Sequence, residues 1–335
     1  LGGFNLKSFG SGPAIRGAGG VGVSQGTGSG PGAGGAGTGF GGRGTGSRKA
    51  MIGGFGGTRQ SERSVAAALN WIARHQMPDG SWSLQRYQMQ CKDRSCTYPG
   101  NHQSNSAATA LALLPFLAAG QTHKSKGLYQ RNIYAGIYWM MRQQNKDGDL
   151  SGKAKAMYAH GLATIMLCEA YGLTSDRNVG QAAQAAVEFI QKAQHPRTGG
   201  WRYTPGQEGD TSVVGWQVMA LKSAQMAGLQ VNARSMEGAK NWLRLASAGK
   251  PRGQFSYIPE SGPGPSMTAV GLLCSQYMGM RREDAVMIDG IKYLMGNMPN
   301  PRGRNIYFWY YATQVLHNVP GPDWDKWNRQ MRRVL

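Results

Sequence analysis

Few side chains in these 335 residues have both the type and the setting that chemistry asks for. Asp210 opens an apolar run as Asp210-Thr211-Ser212. A carboxylate there either caps a helix or, in a closed interior, serves as an acid. His160, within the apolar stretch Tyr158-Ala159-His160-Gly161-Leu162, reads first as a buried histidine whose bonds are met. Glycoside chemistry needs two carboxylates facing each other across a cavity, and Asp149 with Asp210 is the pair that can be nominated. Cys91 and Cys96 bound the loop Cys91-Lys92-Asp93-Arg94-Ser95-Cys96, and three readings of them stay open. One is a loop-stapling disulfide, which would imply export. Another is zinc, helped by His102 or His75, although the spacing is not that of a zinc knuckle. The third is a pair of free thiols. No metal centre is assigned and no cofactor is implied. Cys168 and Cys274 sit in apolar helices and read as core.

These groups are positioned by a repeat. An apolar helix carries an aromatic, then a glutamine, a glycine and a second aromatic or apolar residue. The first copy has Trp71, Gln76, Gly80 and Trp82; the second has Trp139, Gln144, Gly148 and Leu150 at the same offsets. A third has Phe189, Gln194, Gly199 and Trp201, with one extra residue before the glycine. Two worn copies follow, Trp242, Ser247, Gly253, Phe255 and then Tyr293, Met298, Gly303. After one longer interval the spacing settles near 50 residues, which predicts stacked helical hairpins. Between the copies lie helices apolar all round, predicted at 106–117, 155–171, 211–227, 266–278 and 306–316. Such helices must be buried, whereas the amphipathic repeat helices sheathe them. Turns are expected at Asp79-Gly80, Asp147-Gly148 and Thr198-Gly199, an N-cap at Asp210, and helix stops at Gly172, Gly228 and Gly279. The glutamine falls on the last turn of its helix, in reach of free backbone groups there or at the next helix start.

Residues 1–60 hold 24 glycines and cannot bury enough surface to offset the entropy of ordering them, so a flexible arm is expected. A helical domain is expected over 61–335. The net charge is +20, of which about +6 belongs to the arm. Spread through the folded part, it favours anionic partners such as an envelope polymer. No helix-turn-helix or interleaved RNA-binding pattern occurs, which argues against sequence-specific nucleic-acid recognition. No apolar run is long enough to span a membrane. The start at Leu1 reads as a fragment whose N-terminus, with any export signal, lies upstream.

The repeat resembles the QW repeat of squalene–hopene and other terpenoid cyclases, also called the prenyltransferase and squalene oxidase repeat. Stretches such as Gly199-Gly200-Trp201-Arg202-Tyr203, 209–217 and Tyr310-Tyr311-Ala312-Thr313-Gln314 are similar to bacterial squalene-cyclase-like repeat proteins. The resemblance covers roughly 62–335 and implies an all-α fold, an α/α toroid. With about six outer and five inner helices it would be an (α/α)6 barrel truncated at its C-terminus. The activities of that superfamily each fail on their own residues. Class II cyclases use D-x-D-D-T; the nearest stretch here is Gln207-Glu208-Gly209-Asp210-Thr211, with glycine at the proton donor's place. The D-x-C zinc pair of protein prenyltransferases and the thioester segment of complement-type domains are also absent.

In a toroid the inner helices line a cavity, and site candidates are the polar and aromatic residues on them. These are Tyr158 and His160, then Asp210, Trp216 and Gln217, with Trp201 just before. Further along come Thr268, Trp309, Tyr310 and Gln314. An aromatic wall with a few polar groups suits an isoprenoid or other hydrophobic small molecule. The expectation is a non-catalytic, exported or envelope-associated binding domain. The alternative is a terpenoid-cyclase-type enzyme with Asp210 as its acid and His160 nearby.

Overall fold

The computed structural model describes residues 57–152 and 156–335. All but residues 57–60 of the glycine-rich arm lie outside these, as does Lys155, the expected start of the second inner helix. The described residues form eleven α-helices: α1 (Arg59–Arg74), α2 (Asn105–Ala118), α3 (Gln130–Gln143), α4 (Met157–Thr174), α5 (Arg177–Ala193), α6 (Thr211–Met226), α7 (Ala233–Ala246), α8 (Pro265–Tyr277), α9 (Ala285–Met295), α10 (Ile306–His317) and α11 (Pro322–Val334). The odd-numbered helices are one-sided; in α1 only Leu69 is buried, in α11 only Trp327 and Met331. The even-numbered helices are buried nearly all round, α6 without interruption from Thr211 to Leu221. Consecutive inner helices pack in the order α2, α4, α6, α8, α10. Six sheathing and five buried helices make the fold all-α, as expected.

The repeat explains how one hairpin is fixed to the next. Gln76 Nε2 donates to Gly80 O at 2.8 Å and to Asn132 O on α3 at 2.9 Å. Gln144 repeats this with Gly148 O (3.1 Å) and Ala182 O on α5 (2.9 Å). Gln194 does so with Gly199 O (2.8 Å) and Ser235 O on α7 (2.9 Å). One carboxamide thus closes its own turn and holds the following outer helix. The repeat glycine makes this approach possible: at Gly199, φ is +73° and a Cβ would lie 2.0 Å from Gly238 O. Trp82 and Trp201 are buried over these turns, and their indole N–H groups donate to the Ile72 and Ile190 carbonyls at 2.7 and 2.8 Å. Each buried indole removes ~150–250 Å² from water, about 4–6 kcal/mol before chain entropy is charged.

Two departures from the sequence expectation have local causes. The fourth copy has Ser247 in place of glutamine, too short to bridge, and backbone pairing closes the turn instead. β1 (Ser247–Ala248) runs antiparallel to β2 (Gln254–Phe255). Gly172 does not stop α4. The helix runs on to Thr174, whose hydroxyl bonds the Ala170 carbonyl at 2.6 Å, and ends at Ser175 with φ +51°. Asp176 then caps α5 through the amides of Asn178 and Val179.

Candidate functional site

Asp210 is fully buried at the N-cap of α6, as its place before Thr211-Ser212 predicts. Its Oδ1 accepts from the Val213 amide at 2.9 Å and the Ser212 hydroxyl at 2.5 Å. Oδ2 is buried and receives no hydrogen bond; Arg202 Nε stands 4.0 Å away. Around this carboxylate four tyrosines converge from four segments. The Tyr158 hydroxyl, at the start of α4, bonds Ser212 Oγ. Tyr307, at the start of α10, donates to Ser212 O at 3.4 Å. Tyr203 and Tyr257, from the loops before α6 and α8, join hydroxyl to hydroxyl at 2.7 Å, and the Tyr158 and Tyr203 rings stack at 5.9 Å. Burial pushes Tyr158 up to about 12. It also raises Tyr257 and Tyr307, which feel Asp210 as well. Tyr158, Tyr257 and Tyr307 therefore remain protonated donors at neutral pH.

Deeper along the inner helices the surface turns aromatic. Trp216 on α6 stacks on Tyr310 of α10, centroids 5.6 Å apart, and meets Tyr311 edge-on at 5.3 Å and Tyr307 at 6.4 Å. Burial and the Glu169 carboxylate of α4 raise Tyr310. Trp216 Nε1 and Gln314 Oε1 are buried here without a hydrogen bond from the protein. The helices therefore face a common interior, polar at one rim and aromatic within.

Other residues singled out from the sequence have structural work. His160 Nδ1 accepts the Leu150 amide at 3.0 Å, and Nε2 faces the Ala186 carbonyl at 3.0 Å. Thr268 accepts the Phe255 amide at 3.1 Å, and Thr109 the Trp82 amide at 3.0 Å. In each case an inner helix receives the amide two residues after the repeat glycine, so His160 and Thr268 hold the same position in the repeat. Gln217 ties α6 to the Met157 carbonyl at 2.9 Å. Trp201 seals its own turn, and Trp309 is buried at 4% exposure. Asp149 accepts from the Ser151 amide at 2.7 Å and hydroxyl at 2.8 Å, a turn role; its carboxylate stands 3.5 Å from His160 Nδ1. Tyr158, Asp210, Trp216 and Tyr310 are thus brought together. Tyr307 could have been found from its i, i+3, i+4 register with Tyr310 and Tyr311. Tyr257 gives no signal in the sequence.

The squalene-hopene cyclase C-terminal domain family matches residues 44–168. The stretch matched is similar to that family, and the chain as a whole folds as an α/α toroid. No protein of curated function matches it in sequence. Two solved structures share its fold, both inactive variants of an α-1,6-mannanase, GH76A of Salegentibacter sp. HEL1_6. The complex with α-1,6-mannotriose has TM-score 0.57 and 12% identity, and that with α-1,6-mannotetrose 0.55 and 11%. Each alignment covers 81% of this chain and 85% of the other. In the toroid the cyclase proton donor's place is closed to any side chain. Gly209 has φ +127°, and a Cβ there would lie 2.9 Å from both Gly200 Cα and the Trp242 ring. Among the described residues no helix is long and apolar enough to cross a membrane.

Proposed function

We propose that this toroid is a binding domain for an amphipathic ligand, with a hydroxylated head at the Asp210 rim and an apolar chain along Trp216, Tyr307 and Tyr310. The observation that carries this is Asp210 Oδ2, fully buried with no close hydrogen bond, Arg202 Nε 4.0 Å away and the Tyr257 hydroxyl beside it. A buried carboxylate oxygen left in that state costs ~1–3 kcal/mol or more, which a ligand hydroxyl would recover. Aromatic faces beyond it suit an isoprenoid chain. The oligosaccharides in the two mannanase complexes support a hydroxylated head. Envelope lipids of this kind agree with an exported or envelope-associated setting, where the chain's positive charge would favour anionic polymers.

Titration of tryptophan fluorescence with an isoprenoid alcohol, an alkyl glycoside and squalene, repeated in Trp216→Phe to isolate one of the nine tryptophans, tests the reading. The first two should bind and the bare hydrocarbon should bind more weakly. Equal response to all three, or none, would overturn it. A second reading, a cyclase-type enzyme, draws on the same oxygen as the acid's place. Product formation from squalene or a prenyl substrate, abolished in Asp210→Asn, would decide for that reading.

A further inference from the structure

At the C-terminal end of α1 lies a group of donors that the repeat does not use. His75 is the C-cap of α1 and 2% exposed. Its Nδ1 lies 2.6 Å from the Trp71 carbonyl, one turn back, and its ring stacks on Trp71 at 3.9 Å. A carbonyl can only accept, so Nδ1 carries the proton and Nε2 presents its lone pair. That lone pair faces Cys96 Sγ at 3.3 Å. Cys91 completes the group: its sulfur, that of Cys96 and an imidazole nitrogen of His75 lie within 4.8 Å of one another. Asp93 Oδ1 touches Cys91 Sγ at 3.0 Å and accepts the Ser95 amide and hydroxyl at 3.0 and 2.7 Å, which folds the loop so that both sulfurs return to the helix end.

We infer that His75, Cys91 and Cys96 bind one zinc ion. Two thiolates and an imidazole are a soft set that suits Zn²⁺ and neutralises it, with Arg74, Lys92 and the Asp93 carboxylate around them. Tetrahedral bonds of about 2.3 Å to sulfur and 2.0 Å to nitrogen put a sulfur and a nitrogen about 3.5 Å apart, close to the 3.3 Å between Cys96 Sγ and His75 Nε2. Anchoring the second imidazole nitrogen on a backbone carbonyl is how metal-bound histidines are held in one tautomer. A Cys91–Cys96 disulfide would leave the buried Nε2 lone pair without a donor. Binding releases the two thiol protons to solvent with no change of oxidation state, and both cysteines are partly exposed, which leaves the fourth position open to water or the Asp93 carboxylate. The ion would staple the loop that lengthens the first repeat to the end of α1.

The test uses the full chain, reduced, stripped by chelation and titrated with Co²⁺. Ligand-field and thiolate charge-transfer bands should rise to one equivalent and vanish on adding Zn²⁺. Cys91→Ser, Cys96→Ser and His75→Ala should each weaken binding by more than the roughly 10–100-fold that loss of an outer-shell partner costs, while His102→Ala leaves it unchanged. His75→Gln, with helicity checked by circular dichroism, guards against misfolding of the alanine variant. Absence of the bands would overturn the inference. So would unchanged affinity in both folded His75 variants, or peptide mass mapping that finds Cys91 and Cys96 joined in the protein as isolated.

Discussion

Trp216 and Tyr310 stack across the toroid's interior at 5.6 Å and 27°, although one stands on α6 and the other on α10 with α8 between them in the chain. Tyr310→Ala should weaken binding of an isoprenoid alcohol about 10-fold or more, the equivalent of ~1.4 kcal/mol, whereas Tyr310→Phe keeps most of it. Fluorescence titration measures both; equal affinities in wild type and Tyr310→Ala would remove Tyr310 from the site.

Asp210 has a capping role and a free oxygen, and the two can be separated. Asn caps a helix as well as Asp does, so Asp210→Asn should melt within about 0.5 kcal/mol of wild type, while Asp210→Ala loses ~0.5–2 kcal/mol. Both variants should lose affinity for the hydroxylated head. Denaturant melts read the first effect and ligand titrations the second.

The glutamine bridges carry stability rather than binding. Gln194→Ala removes donors to Gly199 O and Ser235 O, and should cost about 1–3 kcal/mol with ligand affinity unchanged. A melt indistinguishable from wild type would show that water satisfies those carbonyls equally well.

Two glycines with nearly the same backbone angle should respond very differently to alanine. Gly199 and Gly206 have φ of +73° and +76°, but a Cβ at Gly199 meets Gly238 O at 2.0 Å, while at Gly206 nothing lies within 4 Å. Gly206→Ala should cost about 1 kcal/mol from the backbone alone. Gly199→Ala must also push α7 away and should give little soluble protein. Comparable melting temperatures would refute the close approach.

Acid should destabilise the α2–α5 corner in two steps. Burial lowers His123 below its ordinary 6.5, outweighing the Asp176 carboxylate 3.2 Å away. Burial raises Asp176, but hydrogen bonds from His123, Lys124 and the amides of Asn178 and Val179 outweigh it and hold the carboxyl below 3.8. Each group binds its proton less readily folded than unfolded. Their stabilisation is therefore present above the unfolded value and lost as pH falls through the folded one. Melting temperature should decline first below 6.5 and again below 3.8. In His123→Asn the first step should shrink; an unchanged profile would mean His123 is not the group responsible.

The alternation of one-sided and all-round apolar helices, with glutamine and glycine at fixed offsets, determined the layers, the hairpins and the Asp210 cap. Those features depend on local periodicity and on hydrogen bonds a few residues long, which a sequence displays directly. The same signal placed Gln76, Gln144 and Gln194 at helix ends, yet not the carbonyls of Asn132, Ala182 and Ser235 that they reach. Whether an inner-helix side chain faces the shared interior or its own outer helix was decided by tertiary structure alone. His160 turned to the Leu150 amide and Thr268 to that of Phe255, while Trp216 turned inward to meet α10. A helix buried on all sides has no polar face to mark its orientation, so only the packed neighbours choose between the two. For the same reason Tyr257 from a worn repeat gained its meaning only in the fold, and only the fold set His75 rather than His102 beside the two loop cysteines.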